Sequence, residues 1–221
     1  MNEIILIPVK SFALAKARLA EILDADTREQ LAICLAEIVC LESGGLPVCI
    51  VCEDDDVASW AASKNLMISR NPGVGLNQSL QLAANWAAST GYSRISLVHS
   101  DLPFAKSIGQ ACKDLSENQA LLIPDSKLDG TNFLSIPACA LRPDPSKKPG
   151  RTGFVFSYGA GSFTRHMEQA NQLYLSPLVR KESDLAFDLD TPQDWERLVA
   201  RRSEVTSPRL RLLIESTPAS L

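Results

Sequence analysis

No stretch of this 221-residue sequence approaches 18 consecutive apolar residues, so no transmembrane helix is expected. The opening "MNEIILIPVK" is too short in its apolar part for a signal peptide. It also lacks a charged front and a small-residue cleavage site, and the chain is expected to stay in the cytoplasm. Positive charge is not in surplus. With 22 Lys and Arg against 26 Asp and Glu, the net charge of −4 argues against a general nucleic-acid or membrane-surface binder. Both standard phosphate-cradling loops, GxxxxGK(S/T) and GxGxxG, are missing. There is a single CxxC, Cys49 with Cys52, and no second pair or nearby histidine completes a zinc site. On a strand these two thiols point to opposite faces, so the six cysteines read as reduced, packed small hydrophobes.

What is there is ordinary for a soluble globular protein: 45% hydrophobic and 22% charged residues, in a chain long enough for one large core. "EIILIPV" (3–9) is a continuous apolar run, which marks a strand buried on both faces. Residues 27–42 place Leu31, Leu35, Ile38 and Val39 at helical spacing, with Thr27 as a candidate cap and Gly44-Gly45 as a stop. "PVCIVCE" reads as a second strand, "DVASWAASKN" as a short helix, and "NQSLQLAANWAAST" as a helix capped by Asn77. A strand over 94–98 precedes a helix over 104–117, then strands in "QALLIPD" and "GTNFLSIP". "SFTRHMEQANQ" looks helical. "LAFDLDTPQDWERLVARR" gives a short strand and a last helix, begun by Thr191, Pro192 and Asp194. This rhythm predicts an α/β fold with a mostly parallel sheet and right-handed crossovers. Segment 142–153, rich in Pro, Gly and charge, reads as an exposed excursion. One domain is expected over 1–202, with a polar, partly disordered tail over 203–221.

In "RISLVHSDLPF" (94–104) an apolar strand ends on a single acid, Asp101. Ligands of open parallel sheets collect outside such strand ends. In "AFDLDTP", Asp188 and Asp190 are two apart, so on a strand both carboxylates leave one face. Like charges that close repel unless a cation lies beside them. Together with Asp101 the pair would suit magnesium, which takes hard oxygen ligands and completes its shell with waters and substrate phosphates. Taken singly, Asp101 reads equally as a cap of the next helix, and Asp190 as the residue before a cap. "IPVKSFALAKARL" puts Lys10, Lys16 and Arg18 after the first strand, where a polyphosphate needs positive charge; the alternative is a solvated basic face. Two further stretches look like anion grips. "DGTN" offers the Thr131 hydroxyl and the Asn132 amide beside Gly130. "YGAGSF" sets Gly159, Gly161 and Ser162 ahead of a helix, with backbone N–H groups converging, or with Ser162 simply capping that helix. His99 and His166 read as packed or hydrogen-bonded histidines outside the chemistry.

Through "IPVK" with "AKARLA", "GLNQSL", "SDLP", "PD" followed by "GTNFL", "YGAGSF" with "RH", and "FDLDTPQDW", residues 4–200 resemble the 2-phospho-L-lactate guanylyltransferase family of coenzyme F420 biosynthesis. The resemblance implies a Rossmann-like sheet of the nucleotide-diphospho-sugar transferase, molybdopterin-guanylyltransferase type, often dimeric. It implies that GMP from GTP is joined to the phosphate of 2-phospho-L-lactate, phosphoenolpyruvate or 3-phosphoglycerate, releasing pyrophosphate, with no nucleic-acid or membrane partner. By matching position, Asp101, Asp188 and Asp190 would hold magnesium, and Thr131, Gly159 and Ser162 would bind the acid. Lys10, Lys16 and Arg18 would face the triphosphate, with Asn77 near the nucleotide. Asp101, Lys16 and Arg18 would carry the catalytic electrostatics. The chain departs from the family in a longer segment before "YGAGSF" and in His99-Ser100 ahead of Asp101. An enzyme of this fold acting on molybdopterin or a sugar phosphate is the nearest rival, and the lack of glycine in "IPVKSFALAKARL" counts against it. A silent nucleotide-binding module is the other, and a retained acidic cluster counts against that.

Overall fold

The continuous apolar run near the N-terminus becomes β1 (Glu3–Pro8), with Ile5 and Ile7 in one core and Ile4 and Leu6 in the other. Burial of each such side chain stabilises the fold by about 1.5–3 kcal/mol, and a strand that feeds two cores has no polar face to alternate. The computed structural model describes residues 2–106, 108–113, 115–142, 152–181 and 184–217. The strands β2 (Val48–Cys52), β3 (Met67–Arg70), β4 (Arg94–Val98), β5 (Gln119–Pro124), β6 (Thr131–Pro137) and β7 (Ser176–Val179) join β1 in one sheet. Their order is β3-β2-β1-β4-β6-β5-β7. All pairings are parallel except those of β6, which runs antiparallel between β4 and β5.

The helices in chain order are α1 (Ala25–Leu41), α2 (Asp55–Ser63), α3 (Leu76–Ser89), α4 (Ile108–Ala111), α5 (Ser162–Gln172), α6 (Pro192–Ala200) and α7 (Pro208–Ser216). α3 and α5 cover one face of the sheet and the others the opposite face. Cys49 and Cys52 fall in different cores, as expected of neighbours two faces apart on a strand. Strand order reverses at β1: β2 and β3 build to one side, then the chain crosses to set β4 on the other. Ligands of doubly wound sheets bind in the crevice above such a reversal. None of the helices among the described residues is long and apolar enough to cross a membrane.

Several expectations need correction. Asp24, not Thr27, caps α1, its Oδ1 accepting the Thr27 N–H at 2.8 Å. α3 begins at Leu76 behind Gly75 (φ 80°), so Asn77 lies inside the helix rather than capping it. The helix expected over 104–117 shrinks to α4 among the described residues. The Lys106 N–H bonds the Phe104 carbonyl at 2.8 Å, a tight i,i+2 turn in place of the first helical turn. Residues 187–190, after a bend at Ala186, form no regular element and join no strand ladder. β3 and β7 were not anticipated. Both are edge strands with partly exposed residues, and β7 contains Pro177, which weakens a strand signal. The expected tail is structured as far as Thr217. Ser207 caps α7, Pro208 opens it, and Leu210 and Ile214 pack in the core that also holds α1. Of the excursion at 142–153, residues 143–151 lie outside the described residues.

One irregularity sits beside the crevice. Phe133 pairs with Ile123 but Thr131 pairs with Pro124, so β6 carries one extra residue, Asn132. That is a β-bulge, a device that re-aims side chains near sites.

Candidate active site

Three segments converge above the carboxyl ends of β1 and β4. The first follows β1, where Phe12 is buried edge-on against Trp60 with ring centroids 5.2 Å apart. This anchor turns the chain back, and Lys16 then takes a left-handed conformation (φ 54°, ψ 34°) rare for a residue with a side chain. The second follows β4: the His99 N–H bonds the Asn132 carbonyl at 3.0 Å, and the chain then turns at Ser100 and Asp101. The third is 185–190, pinned twice. The buried Asn132 amide donates to the Leu185 carbonyl at 3.0 Å, and the Leu189 N–H to the Asp101 carbonyl at 3.1 Å. Leu185, Phe187 and Leu189 point into the core, which turns Asp188 and Asp190 outward toward Asp101. Asp194 holds the far end through the Thr191 capping box.

Lys16 lies between the acids. Its Nζ is 2.8 Å from Asp101 Oδ2 and 3.2 Å from Asp190 Oδ1, with the side chain only 8% exposed. Burial would lower the ammonium's pKa, but Asp101 and Asp190 outweigh it and hold the group above its ordinary value. Burial would likewise raise the Asp101 carboxyl, yet Lys16, and then His99, hold it below the usual carboxylate range. Asp188 has no such cation. Burial first, then the charges of Asp101 and Asp190, push it up to about 6. Arg18 is 74% exposed with Nη1 3.8 Å from Asp190 Oδ2, and Lys10 is exposed.

The structure therefore gathers Asp101, Asp188, Asp190, Lys16 and Arg18 into one cluster. Among the described residues no group of three or more acids, histidines or cysteines is drawn together as a ready-made metal cage. Asp101 Oδ1, however, is buried with no hydrogen-bond partner among the described residues, and His99 Nδ1 lies 3.9 Å away, too far for a hydrogen bond. An orphaned carboxylate oxygen beside a desolvated second carboxylate is a donor set that fits magnesium, which needs one or two carboxylates and takes the rest from water and phosphate.

One cleft opens over this cluster and adjoins a second, the two sharing Pro8, Val9, Lys10 and Leu76. One, of about 400 Å³, is lined by Lys16, Arg18, His99, Asp101 and Asp190. The other, of about 420 Å³, lies over the end of β2 and is lined by Ser11, Glu53, Asp54, Pro72 and Gly73.

The residues expected to bind the acid form a separate cluster. Thr131 and Ser162 are both buried, and the Ser162 hydroxyl donates to Thr131 Oγ1 at 3.4 Å. His166 joins them. The Ser157 N–H donates to its Nε2 at 3.1 Å, so Nδ1 carries the proton and donates to Thr131 Oγ1 at 3.0 Å. Burial, then Arg165 and His99, push His166 down to about 4, so it is neutral. His166 is thus the packed, hydrogen-bonded histidine expected from the sequence, and its i,i+4 spacing from Ser162 on α5 sets it beside this pair. The backbone donors expected to be free here are in use. The Gly161 N–H bonds Asp129 Oδ1, the Phe163 N–H bonds the Asp129 carbonyl, and the Ser162 N–H bonds Gly159. Gly161, not Ser162, stands at the cap, and Gly159 (φ 118°) is exposed. Asn77 is also engaged: its amide donates to the Tyr158 carbonyl at 3.2 Å and accepts the Tyr158 N–H at 2.7 Å, clamping this loop onto α3. The Tyr158 ring bridges the two clusters, 5.4 Å from His99 and 4.8 Å from His166.

Residues 3–210 match the family described as "Guanylyl transferase CofC like". A phosphoenolpyruvate guanylyltransferase of Sphaerobacter thermophilus is 35% identical over 90% of this chain and 93% of its own. One of Rubrobacter xylanophilus is 31% identical over 95% and 99%. A 2-phospho-L-lactate guanylyltransferase of Methanobrevibacter smithii is 25% identical over 97% and 93%. A crystal structure assigned to the nucleotide-diphospho-sugar transferases, from Desulfovibrio desulfuricans G20, superposes with a TM-score of 0.70 at 21% identity, covering 98% of each chain, and bears on the fold alone. With the family match spanning nearly the whole sequence and relatives above 30% identity, the chain belongs to the CofC-like guanylyl transferases.

Proposed function

We propose that this guanylyltransferase moves GMP from GTP onto the phosphate of phosphoenolpyruvate, in coenzyme F420 biosynthesis. The observation that carries the reading is the meeting of Lys16 with Asp101 and Asp190 in one of two joined clefts, at the reversal of strand order. The relatives named for phosphoenolpyruvate are 35% and 31% identical and the one named for 2-phospho-L-lactate 25%, which favours the first acid.

A phosphate oxygen of the acid attacks the α-phosphorus of GTP. The new P–O bond forms as the bond from the α-phosphorus to the oxygen bridging it to the β-phosphorus breaks, and pyrophosphate leaves with that electron pair. No proton has to move, because the attacking phosphate is already ionised, so no protein base is required. The difficulty is charge, since two anions must approach in a site that already holds three carboxylates. Lys10 and Arg18, both exposed at the clefts, reach the triphosphate from solvent. Lys16 turns from the aspartates to the phosphates as these arrive, and its ammonium stabilises charge building on the leaving group. Magnesium, held by Asp101 and Asp188 with Asp190 at the edge, would supply the remaining screening between the two substrates. The Thr131–His166–Ser162 network shapes the wall against which the acid lies, next to the exposed Gly159 backbone. Positioning and electrostatics carry the rate.

The test is pyrophosphate release from GTP and magnesium with phosphoenolpyruvate, 2-phospho-L-lactate and 3-phosphoglycerate in parallel. Release with phosphoenolpyruvate in clear excess over the others is expected. Release only with another acid overturns the acceptor, and release with none overturns the reaction.

A further inference from the structure

We propose that Glu53 is the residue that reads the guanine base, an inference that rests on GTP being the nucleotide donor. The cleft over the aspartates holds every candidate phosphate ligand, so the base belongs in the adjoining cleft, reached past Pro8, Val9, Lys10 and Leu76. Its acidic lining residues are Glu53 and Asp54. Asp54 is committed to capping α2, its Oδ1 accepting the N–H groups of Asp56 and Val57 at 3.0 and 3.2 Å. Glu53 follows directly on β2 and is exposed to the cleft.

Its carboxylate is already oriented. Oε2 accepts the Gly73 N–H at 3.0 Å, which ties the 71–75 loop to the end of β2. Gly73 adopts φ 77°, a conformation that residues with side chains disfavour, so the backbone donor is presented at this point because glycine stands there. Each carboxylate oxygen accepts two hydrogen bonds, so Oε2 retains capacity beside Gly73 and Oε1 adds more. Of the four common bases, guanine alone carries two adjacent donors on its Watson–Crick edge, N1–H and the N2 amino group. A carboxylate accepts both side by side. Adenine and cytosine each offer an amino donor beside a ring-nitrogen acceptor, and uracil one N–H flanked by carbonyl oxygens. A site built on such a pair rejects a base lacking one donor, because a partner atom is left unpaired.

The test compares kcat/KM for GTP and ITP, whose base lacks the N2 amino group, in the wild type, Glu53→Gln and Glu53→Ala with one acid substrate. The wild type should favour GTP by roughly tenfold to a hundredfold, the worth of a hydrogen bond to a charged group. Glu53→Ala should lose more with GTP than with ITP, bringing the ratio near one, and Glu53→Gln should fall between. If Glu53→Ala lowers both alike, or leaves the preference intact, Glu53 braces the Gly73 loop and the proposal fails. If the wild type releases no pyrophosphate at all, the reaction is misassigned. Calorimetric titration of GDP against IDP then decides on Glu53 separately, and equal weakening of both nucleotides in Glu53→Ala overturns its role.

Discussion

Replacing Lys16 with methionine keeps the length and the unbranched stem of the side chain and removes the charge between Asp101 and Asp190. Breaking a fully buried ion pair from one side costs about 3–5 kcal/mol, because the partner's charge is stranded. Here the Asp101 side chain is 21% exposed and that of Asp190 44%, so water relieves part of the penalty. Discounted for that screening, the loss comes to about 2–3 kcal/mol. In a chain of this size each kcal/mol moves Tm by about 2–4 °C, so the variant should melt roughly 4–12 °C below wild type at pH 7.5. The sign with pH follows from Asp101. Its carboxyl is held below the ordinary value in the folded protein, so the stability it contributes is present above the unfolded pKa and is lost as pH falls through the folded one. Lys16 is held above its ordinary value, so its share is intact at neutral pH and lost only as pH rises through its folded pKa. The gap between wild type and variant should therefore be wide at pH 7.5 and narrow only below the ordinary carboxylate range, toward about pH 2.5. Thermal melts followed by tryptophan fluorescence in chelator-treated buffer at the two pH values read this directly. An equal loss at both, or none at pH 7.5, would refute a buried ammonium neutralising the aspartates.

Asp188→Asn should act in the opposite direction on stability. With the carboxyl raised to about 6, the ionised group penalises the metal-free fold at every pH above that value, and the penalty fades as pH falls toward 3.8. The variant should melt higher than wild type at pH 7.5 in chelator, by up to about 3 kcal/mol of stability, and gain nothing at pH 4. Its pyrophosphate release should be nearly abolished, as should that of Asp101→Asn; near-normal activity in either would remove the aspartates from the chemistry. Ser162→Ala takes one donor from Thr131 Oγ1 and should raise KM for the acid by about tenfold while leaving that for GTP in place. Steady-state kinetics with each substrate varied separately check this, and equal shifts would detach the hydroxyl from the acid wall.

The core sheet was legible because β1, β2 and β5 are apolar on both faces, a pattern that solvent-exposed chain does not sustain, whereas β4 carries the buried Arg94 and Ser96 on one face. Asp188 and Asp190 were read correctly as sharing a side, although no strand forms there. Their alternation comes from burial, because Phe187 and Leu189 turn into the core and leave Asp188 and Asp190 on the other side. The edge strands β3 and β7 escaped because half-exposed residues dilute that pattern. What lay beyond reach was Lys16's place between the acids. It depends on a left-handed residue that is neither glycine nor asparagine and so leaves no trace in residue type. The engagement of Asn77 with Tyr158 and of Gly161 with Asp129 was equally hidden, since each joins segments distant in sequence.

The extra residue in β6 bears on how the two residue clusters are kept in register. Without it, strict alternation would turn Thr131 and Phe133 toward one core. With it, Phe133 faces the α1 side, Thr131 meets His166 on the α5 side, and Asn132 between them reaches Leu185. Consecutive Cα atoms are about 3.8 Å apart, so the strap that carries Asp188 and Asp190 and the cluster of Thr131, His166 and Ser162 hang from adjoining links of the chain. A shift at either is transmitted to the other across a single peptide bond. The two clusters are thus registered against one strand, and a change at Thr131 is felt by the segment that holds Asp188 and Asp190.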